Sequence, residues 1–414
     1  VGEEERERRA TLLHRLTGIL LYTGRLDDAI KAGLAASALW RDLGNTVKQA
    51  DSYLEIAFLG HWQGRETESV KYVKSALECL ESTPEEILLH AKAYAQWGLA
   101  ATVMGEPTLA REKLHQSEVL LRQAGASDAF ISVVSLWALS WCAYLAGTPQ
   151  QMLDYALQGA EFCRSSNKPD WEPMMNYSAA WACMLLGRLP EGAQLAREAL
   201  KKAQQHGVVG AQGWANLVLA FLAIQEGNWI EAKAFGESAS TIASLLHDAD
   251  LQARVLWSRS VCAGWQNDWP RASEDILQAL EMAKQEGEIS MVYPHLLVQA
   301  ARTHLYAGQI EQAQHYLNQA RELALSREYR QLPAIAQRLQ GRIWQAQGWF
   351  DEAQICFERS LAALQELGDP VEYARTQESY GQLCLARAQD SDTQKGQQLL
   401  DSAHKTFKRL GVNG

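Results

Sequence analysis

Glycine turns recur along the chain at an almost constant spacing. A Gly, or in one copy Asn, separates two helix-like segments at positions 24, 64, 105, 147, 187, 227, 267, 308 and 348, and a degenerate tenth copy lies near Ser391. Successive copies are 40 to 43 residues apart. Gly and Asn tolerate the positive φ with which many helices end. The spacing therefore predicts ten repeats, each made of two helices joined by a tight turn.

Three further positions in each repeat hold small residues. Seven residues before the turn lie Thr17, Ala57, Gly98, Ser140, Ala180, Ala220, Ser260, Ala301, Gly341 and Cys384. The fifth and twelfth residues after the turn are also small in every repeat, except for Met152 at the fifth position of the fourth repeat. Small residues are needed where two antiparallel helices cross closely and where the next pair stacks on them. We therefore expect an all-α solenoid.

The small residues seven before, five after and twelve after a turn Gly resemble the tetratricopeptide repeat. This resemblance covers essentially residues 1–414 and implies a single domain, a right-handed α-solenoid (superhelix) of about ten antiparallel helix pairs. The repeats are about 41 residues long rather than 34, and the Pro that usually closes the second helix is mostly absent. Repeats of this length resemble the C-terminal sensor arms of MalT-like transcription activators, other STAND proteins and AAA-ATPase signalling regulators. The charged start VGEEERERRA, which has no initiator Met, favours a segment of a longer multidomain protein.

Composition and motifs narrow the class of function. The chain carries 39 Lys and Arg against 49 Asp and Glu, a net charge of −10, which disfavours binding to nucleic acid. No apolar run approaches the roughly 18 residues of a membrane span. Seven scattered cysteines without a CxxC pair indicate reduced thiols in a cytoplasmic protein. The sequence has no phosphate-binding GxxxxGK[ST] loop and no HExxH motif, and its ten histidines are dispersed. We therefore predict no enzyme activity, no metal and no cofactor.

An aromatic series marks the predicted concave face. In tetratricopeptide arrays the first helix of each pair lines the inner groove, chiefly thirteen, ten, six, three and two residues before the turn. Carried over to this chain, these offsets select the candidate binding residues Trp137, Trp141, Tyr144, Tyr177, Trp181, Trp214, Phe221, Trp257 and Trp265. The six-before position alone changes along successive repeats from Trp141, Trp181 and Phe221 to Val261, Arg302 and Arg342. The pattern predicts an apolar groove in the middle repeats that becomes basic toward the C-terminus.

The basic end of this groove has four predicted members, His295, Arg302, Arg338 and Arg342. Arginines that converge in an acidic protein favour an acidic ligand, such as a carboxylate, a phosphate or an Asp/Glu-rich segment of a partner. Two structural alternatives remain open. A tightly wound superhelix would pack the aromatic side chains between neighbouring first helices, and the arginines would form a solvated face paired with carboxylates such as Glu311 or Glu378.

The groove supports two functional hypotheses. The first is a scaffold or sensor arm that binds a peptide or protein segment and regulates an attached signalling domain, because helical solenoids present an extended concave surface. The second is a receptor for a small sugar, aromatic or anionic effector, as the resemblance to MalT-like activators implies. We take protein–protein interaction as the prediction and the small-molecule receptor as the alternative.

Overall fold

The computed structural model describes residues 2–125, 128–284, 290–389 and 392–413, and within them every regular element is a helix. The helices, in chain order, are α1 Glu3–Tyr22, α2 Leu26–Asp42, α3 Thr46–Trp62, α4 Glu66–Leu80, α5 Ile87–Val103, α6 Pro107–Ala124, α7 Ala129–Leu145, α8 Pro149–Ser165, α9 Glu172–Leu185, α10 Leu189–His206, α11 Val209–Glu226, α12 Trp229–Leu246, α13 Ala249–Trp265, α14 Trp269–Met282, α15 Tyr293–Tyr306, α16 Ile310–Ser326, α17 Gln331–Ala346, α18 Phe350–Leu367, α19 Pro370–Arg387 and α20 Asp392–Leu410. No helix in these ranges is long and apolar enough to cross a membrane.

Consecutive helices pack against each other in pairs, and the predicted turn residues join them. Gly24, Gly64, Gly105, Gly147, Gly187, Gly227, Asn267, Gly308 and Gly348 all have φ between 59° and 82°. A left-handed residue there ends the first helix and lets the chain reverse within two residues. The tenth turn, predicted near Ser391, lies outside the described residues. In that unit the first helix ends at Arg387, and its C-cap residue Ala388 has a φ of 52°.

The small residues lie where the paired helices touch. The ten residues that come seven before the turn are all buried, and so are the small residues after it. A Cβ at Gly98 would lie 2.7 Å from Leu114 Cγ and 3.2 Å from the carbonyl oxygen of Ala110, both on the partner helix. Serines in these positions bond across the pair, as when Ser117 Oγ donates to the carbonyl oxygen of Ala91 at 2.7 Å. The tetratricopeptide-like crossing therefore follows from the sequence pattern.

The solenoid winds tightly enough that successive coils touch. Gly24 in the first unit lies against Leu246 at the end of α12, and a Cβ at Gly105 in the third unit would lie 2.7 Å from Tyr329 Oη. A Cβ at Gly187 in the fifth unit would lie 2.8 Å from Leu410. Each of these contacts joins elements about five units apart, so roughly five units complete one turn. We call this line of contact the seam.

Hydrogen bonds cross the seam in addition to the van der Waals contacts. Met291 donates its backbone N–H to the carbonyl oxygen of Val103 at 2.7 Å. Arg327 Nη1 donates to the carbonyl oxygen of Met104 at the same distance. Near the C-terminus, Asn413 donates its N–H to the carbonyl oxygen of Gln225 at 2.6 Å. These bonds join groups far apart in sequence and hold successive coils together. They therefore limit the width of the space inside the superhelix.

Candidate binding groove

The predicted aromatic side chains line the interior of the superhelix, and most of them are packed. Trp137, Trp141, Tyr144, Tyr177, Trp181 and Phe221 are buried, whereas Trp214, Trp257 and Trp265 are half-buried. The rings form a chain from unit to unit: the centroids of Trp141 and Trp181 are 5.9 Å apart, and Trp181 and Phe221 follow at 5.3 Å. Phe221 then contacts Trp257 at 5.0 Å. The six buried rings are part of the continuous core, and only parts of the series face open space.

Tyr144 and His295 meet across the interior, from α7 and α15. The hydroxyl of Tyr144 and Nε2 of His295 are 2.9 Å apart, and the two rings stack at 5.4 Å. Burial, together with repulsion from Arg254, lowers the pKa of His295 to about 3. His295 is therefore neutral near pH 7. His295 lines the cavity described next, but it contributes no positive charge there.

A cavity of about 160 Å³ lies between the aromatic series and the C-terminal units. We call it the arginine pocket. It brings together eight of the predicted residues, which are Tyr144, Trp181, Phe221, Trp257, Trp265, His295, Arg302 and Arg338. Its charged lining residues are three arginines, Arg302, Arg338 and Arg375, and one carboxylate, Glu372. The pocket thus has an excess of two positive charges in a protein whose net charge is −10.

Two of these arginines are held by Glu372. Arg338 Nη2 and Arg375 Nη1 each lie 2.5 Å from an oxygen of that carboxylate. Burial alone would raise the pKa of Glu372, but the two guanidinium groups lower it. Arg338 is therefore paired with Glu372, and not with the carboxylates named as alternatives from the sequence.

Arg302 differs from its neighbours in this pocket. Its guanidinium lies over the ring of Trp265 at 5.5 Å. Within the described residues it forms no ion pair and no side-chain hydrogen bond. Burial is the largest effect on the pKa of Arg302 and lowers it. Tyr306 and Glu372 act to raise this pKa, whereas the positive charges of Arg375 and Arg338 act to lower it. Arg302 is thus a partly desolvated cation that forms no ion pair among the described residues, next to two other cations and near the carboxylate of Glu372.

Arg342 does not reach the pocket. It lies over the ring of Tyr306 at 5.7 Å and donates from Nη1 to Gln382 Oε1 at 2.7 Å. Four other predicted residues, Trp137, Trp141, Tyr177 and Trp214, line a second and smaller cavity of about 40 Å³. Arg254 is among the residues that line this second cavity, which we call the Arg254 cavity.

The charged groups around Arg254 were not among the residues selected from the sequence. Arg254 lies thirteen residues before Asn267, a groove-facing offset, so the same rule would have selected it. Arg375 was missed for another reason. The first helix of the last unit ends at Arg387, and its C-cap Ala388 lies three residues before the expected turn, so counting from Ala388 places Arg375 at the thirteen-before offset. Glu372 lies at none of the groove-facing offsets.

The charged groups near these cavities do not form a metal site. Among the described residues, no cluster of three or more His, Cys, Asp or Glu has the arrangement needed to hold a metal ion. The seven cysteines, all of them in the described ranges, are free thiols. The predicted groove residues line two cavities, with aromatic walls and arginines, and these are the candidate ligand surfaces of the inner face.

Comparison with known proteins finds similarity at the level of fold. No family model matches the chain, and no curated protein sequence matches it. A Rap protein complexed with Competence and Sporulation Factor superposes with a TM-score of 0.60 at 12% identity, covering 97% of this chain and 99% of that chain. NprR in complex with its cognate peptide NprX gives 0.59 at 14% identity, covering 85% and 98%. The Rap conjugation gene regulator of plasmid pLS20 in complex with the Phr* peptide gives 0.57 at 12%, covering 86% and 96%. The chain therefore folds as a tetratricopeptide-like α-solenoid that extends over ten helix pairs.

Proposed function

We propose that this chain is a non-catalytic sensor arm, a single domain of ten units, that binds a peptide or a short protein segment in the arginine pocket. The observation that carries the proposal is Arg302, a cation that faces an aromatic-walled cavity without an anionic partner among the described residues. A partly desolvated charge that forms no ion pair loses hydration without gaining a bond in return, and a carboxylate from a ligand would supply that bond. The ligand is therefore a peptide with at least one acidic side chain.

Two solenoids of similar fold support a peptide as the ligand. NprR and the pLS20 Rap regulator are each described in complex with a peptide. The arginine pocket has the mixed lining that a short peptide needs, since Trp181 and Phe221 offer apolar contacts and Gln299 and Gln331 offer hydrogen bonds. The pocket also takes its walls from units four to ten. A bound segment would therefore contact successive coils of the superhelix at once.

This geometry connects binding to regulation. A ligand that contacts Tyr144 in the fourth unit and Arg302 in the eighth favours the superhelical state in which those units are close. If the ligand binds a compact state of the superhelix more tightly than an open one, its binding shifts the arm toward the compact state, and this shift changes the activity of a domain attached to the arm. The attached domain would be the output of a signalling regulator.

The test is selection of ligands followed by substitution in the pocket. A displayed library of random heptapeptides is selected on the immobilised chain, and the enriched peptides are labelled for fluorescence polarisation. We expect enrichment of Asp or Glu together with aromatic or aliphatic residues. Arg302→Gln should weaken binding at least about tenfold through loss of a charge-assisted hydrogen bond, and it should preserve helicity because Arg302 makes no ion pair in the described structure.

The matched control is Arg342→Gln. Arg342 occupies the same six-before position in the next unit but lies outside the arginine pocket. The Arg342→Gln variant should bind the selected peptides with the same affinity as the unaltered protein. If the two variants bind equally well, or if no peptide is enriched, peptide binding in this pocket is refuted.

A further inference from the structure

The Arg254 cavity is separate from the arginine pocket and contains a buried cation that is only partly satisfied. Arg254 is 1% exposed. Its Nε donates to Asp250 Oδ2 at 2.9 Å, whereas Nη1 and Nη2 have no hydrogen-bond partner among the described residues. A guanidinium has five N–H donors, and leaving several of them buried without an acceptor is strongly unfavourable. The Nη1 and Nη2 donors of Arg254 are therefore available to a group with oxygen acceptors.

The aromatic neighbours restrict how that group approaches. The guanidinium carbon lies 5.2 Å from the ring centroid of Trp214 and 5.8 Å from that of Trp141. Asp250 occupies the Nε side. The Nη1 and Nη2 edge remains for an acceptor, and two parallel N–H groups on one edge match the two oxygens of a carboxylate.

The size of the cavity selects a small group. Its volume of about 40 Å³ holds roughly three water molecules, which is close to the space taken by one carboxylate group. Gly64, Glu66, Val103 and Asp250 line both this cavity and a larger one of about 330 Å³ along the seam. A ligand longer than a carboxylate therefore has space in which to extend.

The charges around the cavity favour a monoanion over a dianion. His61 Nδ1 lies 2.7 Å from Glu66 Oε1, and Arg254 is paired with Asp250, so these four groups form two ion pairs when His61 is protonated. Asp250 Oδ1 also accepts a hydrogen bond from the hydroxyl of Ser290. Asp248 is the remaining acid in the lining, and its pKa of about 7 leaves it partly protonated at neutral pH. A phosphate would meet more repulsion from these carboxylates than a carboxylate would.

We propose that the Arg254 cavity is a second binding site, which takes the carboxylate of a small organic acid or of a peptide C-terminus on the Nη edge of Arg254. The proposal stands independently of peptide binding in the arginine pocket, because the two cavities have no lining residue in common. The indole rings of Trp141 and Trp214 lie against the guanidinium. Their fluorescence should therefore change when a carboxylate binds to Arg254.

The experiment measures melting temperature and tryptophan fluorescence with defined probes. Sodium acetate is titrated against sodium chloride and acetamide at equal ionic strength, and triglycine is compared with its C-terminal amide. We expect acetate or triglycine to raise the melting temperature and shift the emission in a saturable manner, while chloride, acetamide and the amide cause neither change. A tighter response to triglycine than to acetate identifies a peptide terminus as the source of the carboxylate, and the reverse order identifies a free acid.

Substitutions at Arg254 decide whether the response belongs to this site. Arg254→Lys keeps the charge but loses the paired donors and should bind at least about tenfold more weakly. Arg254→Gln combined with Asp250→Asn removes both members of the ion pair, so that neither charge is left buried alone, and should abolish the response. Arg271→Gln, at an exposed arginine on the next helix, is the control and should respond fully. The proposal is overturned if no carboxylate probe acts on the unaltered protein, or if the response survives in the double variant.

Discussion

Replacement of Asp248 by Asn should stabilise the protein at alkaline pH much more than at acidic pH. Asp248 is the N-cap residue of α13, where Oδ1 accepts the backbone N–H of Leu251 at 2.9 Å, and it is 5% exposed. Burial, reinforced by the nearby carboxylate of Asp250, raises its pKa to about 7. The hydrogen bond from Leu251 and the charges of His61 and Arg254 oppose this rise only in part. Asn can form the same cap without carrying a charge.

The size of the effect follows from the difference between the folded and unfolded pKa values. The folded pKa of about 7 lies above the ordinary aspartate pKa of 3.8, so the folded state retains a proton that the unfolded chain has already lost. The stability that Asp248 provides in its protonated form is complete below pH 4 and is lost as the pH rises to 7. With 1.36 kcal/mol for each pKa unit, Asp248→Asn should be more stable than the unaltered protein by about 1 kcal/mol at pH 4.5 and by about 4 kcal/mol at pH 8.5.

The assay is urea unfolding at these two pH values, monitored by far-ultraviolet circular dichroism. Asp268→Asn provides the control, because Asp268 caps α14 through an N–H of Arg271 at 3.2 Å but is exposed. The control should show little dependence on pH. An advantage of Asp248→Asn that is equal at both pH values, or smaller at pH 8.5, would show that burial does not disfavour the ionised carboxylate as argued.

Two further pairs of substitutions test the helix crossing and the seam. Gly98→Ala should destabilise the protein by about 1–3 kcal/mol because its Cβ would overlap Leu114. Gly18→Ala, with open space around it, should stabilise α1 by about 0.5–1 kcal/mol. If the midpoints of urea unfolding shift in the same direction in both variants, the packing argument is wrong. Gly105→Ala and Gly308→Ala both place Ala at positive φ, but only the first meets the neighbouring coil. We therefore expect Gly105→Ala alone to increase the radius of gyration measured by small-angle X-ray scattering, and an equal radius in both variants would count against the seam.

The repeat architecture was accessible from the sequence because each repeat carries its own signal. A turn residue with positive φ and a small residue where two helices cross are local requirements, and they recur in every unit. The nine described turn residues and the buried small positions therefore coincide with the pattern. The last unit is the exception, since α19 ends at Arg387 with the left-handed residue Ala388 as its C-cap, and the turn comes earlier than the spacing predicts.

The exposure of the inner face was not accessible in the same way. Whether Trp141 or Trp181 faces solvent depends on the superhelical curvature, which results from a small rotation between units and is not encoded at any one position. The contact between successive coils, for example at Gly105 and Tyr329, closes the interior and packs these rings. The ion pair between Arg338 and Glu372 likewise depends on how neighbouring units are rotated.

The residues that distinguish the two cavities were only partly recognisable. Aromatic residues at regular offsets were singled out, whereas Arg254 is one of two arginines on α13, and its significance depends on burial. Its guanidinium, on α13, is buried next to the rings of Trp141 and Trp214. The offset rule selects the residues that face inward, but the structure is needed to show which of them lack a partner.

The most direct test of peptide binding by the inner face is a crystal structure of the chain with a peptide selected from the library. We predict electron density for the peptide in the arginine pocket, with an acidic side chain on the guanidinium of Arg302 and an apolar side chain against Trp181 or Phe221. A peptide bound on the outer, convex surface, with the pocket filled only by water, would contradict the proposed function.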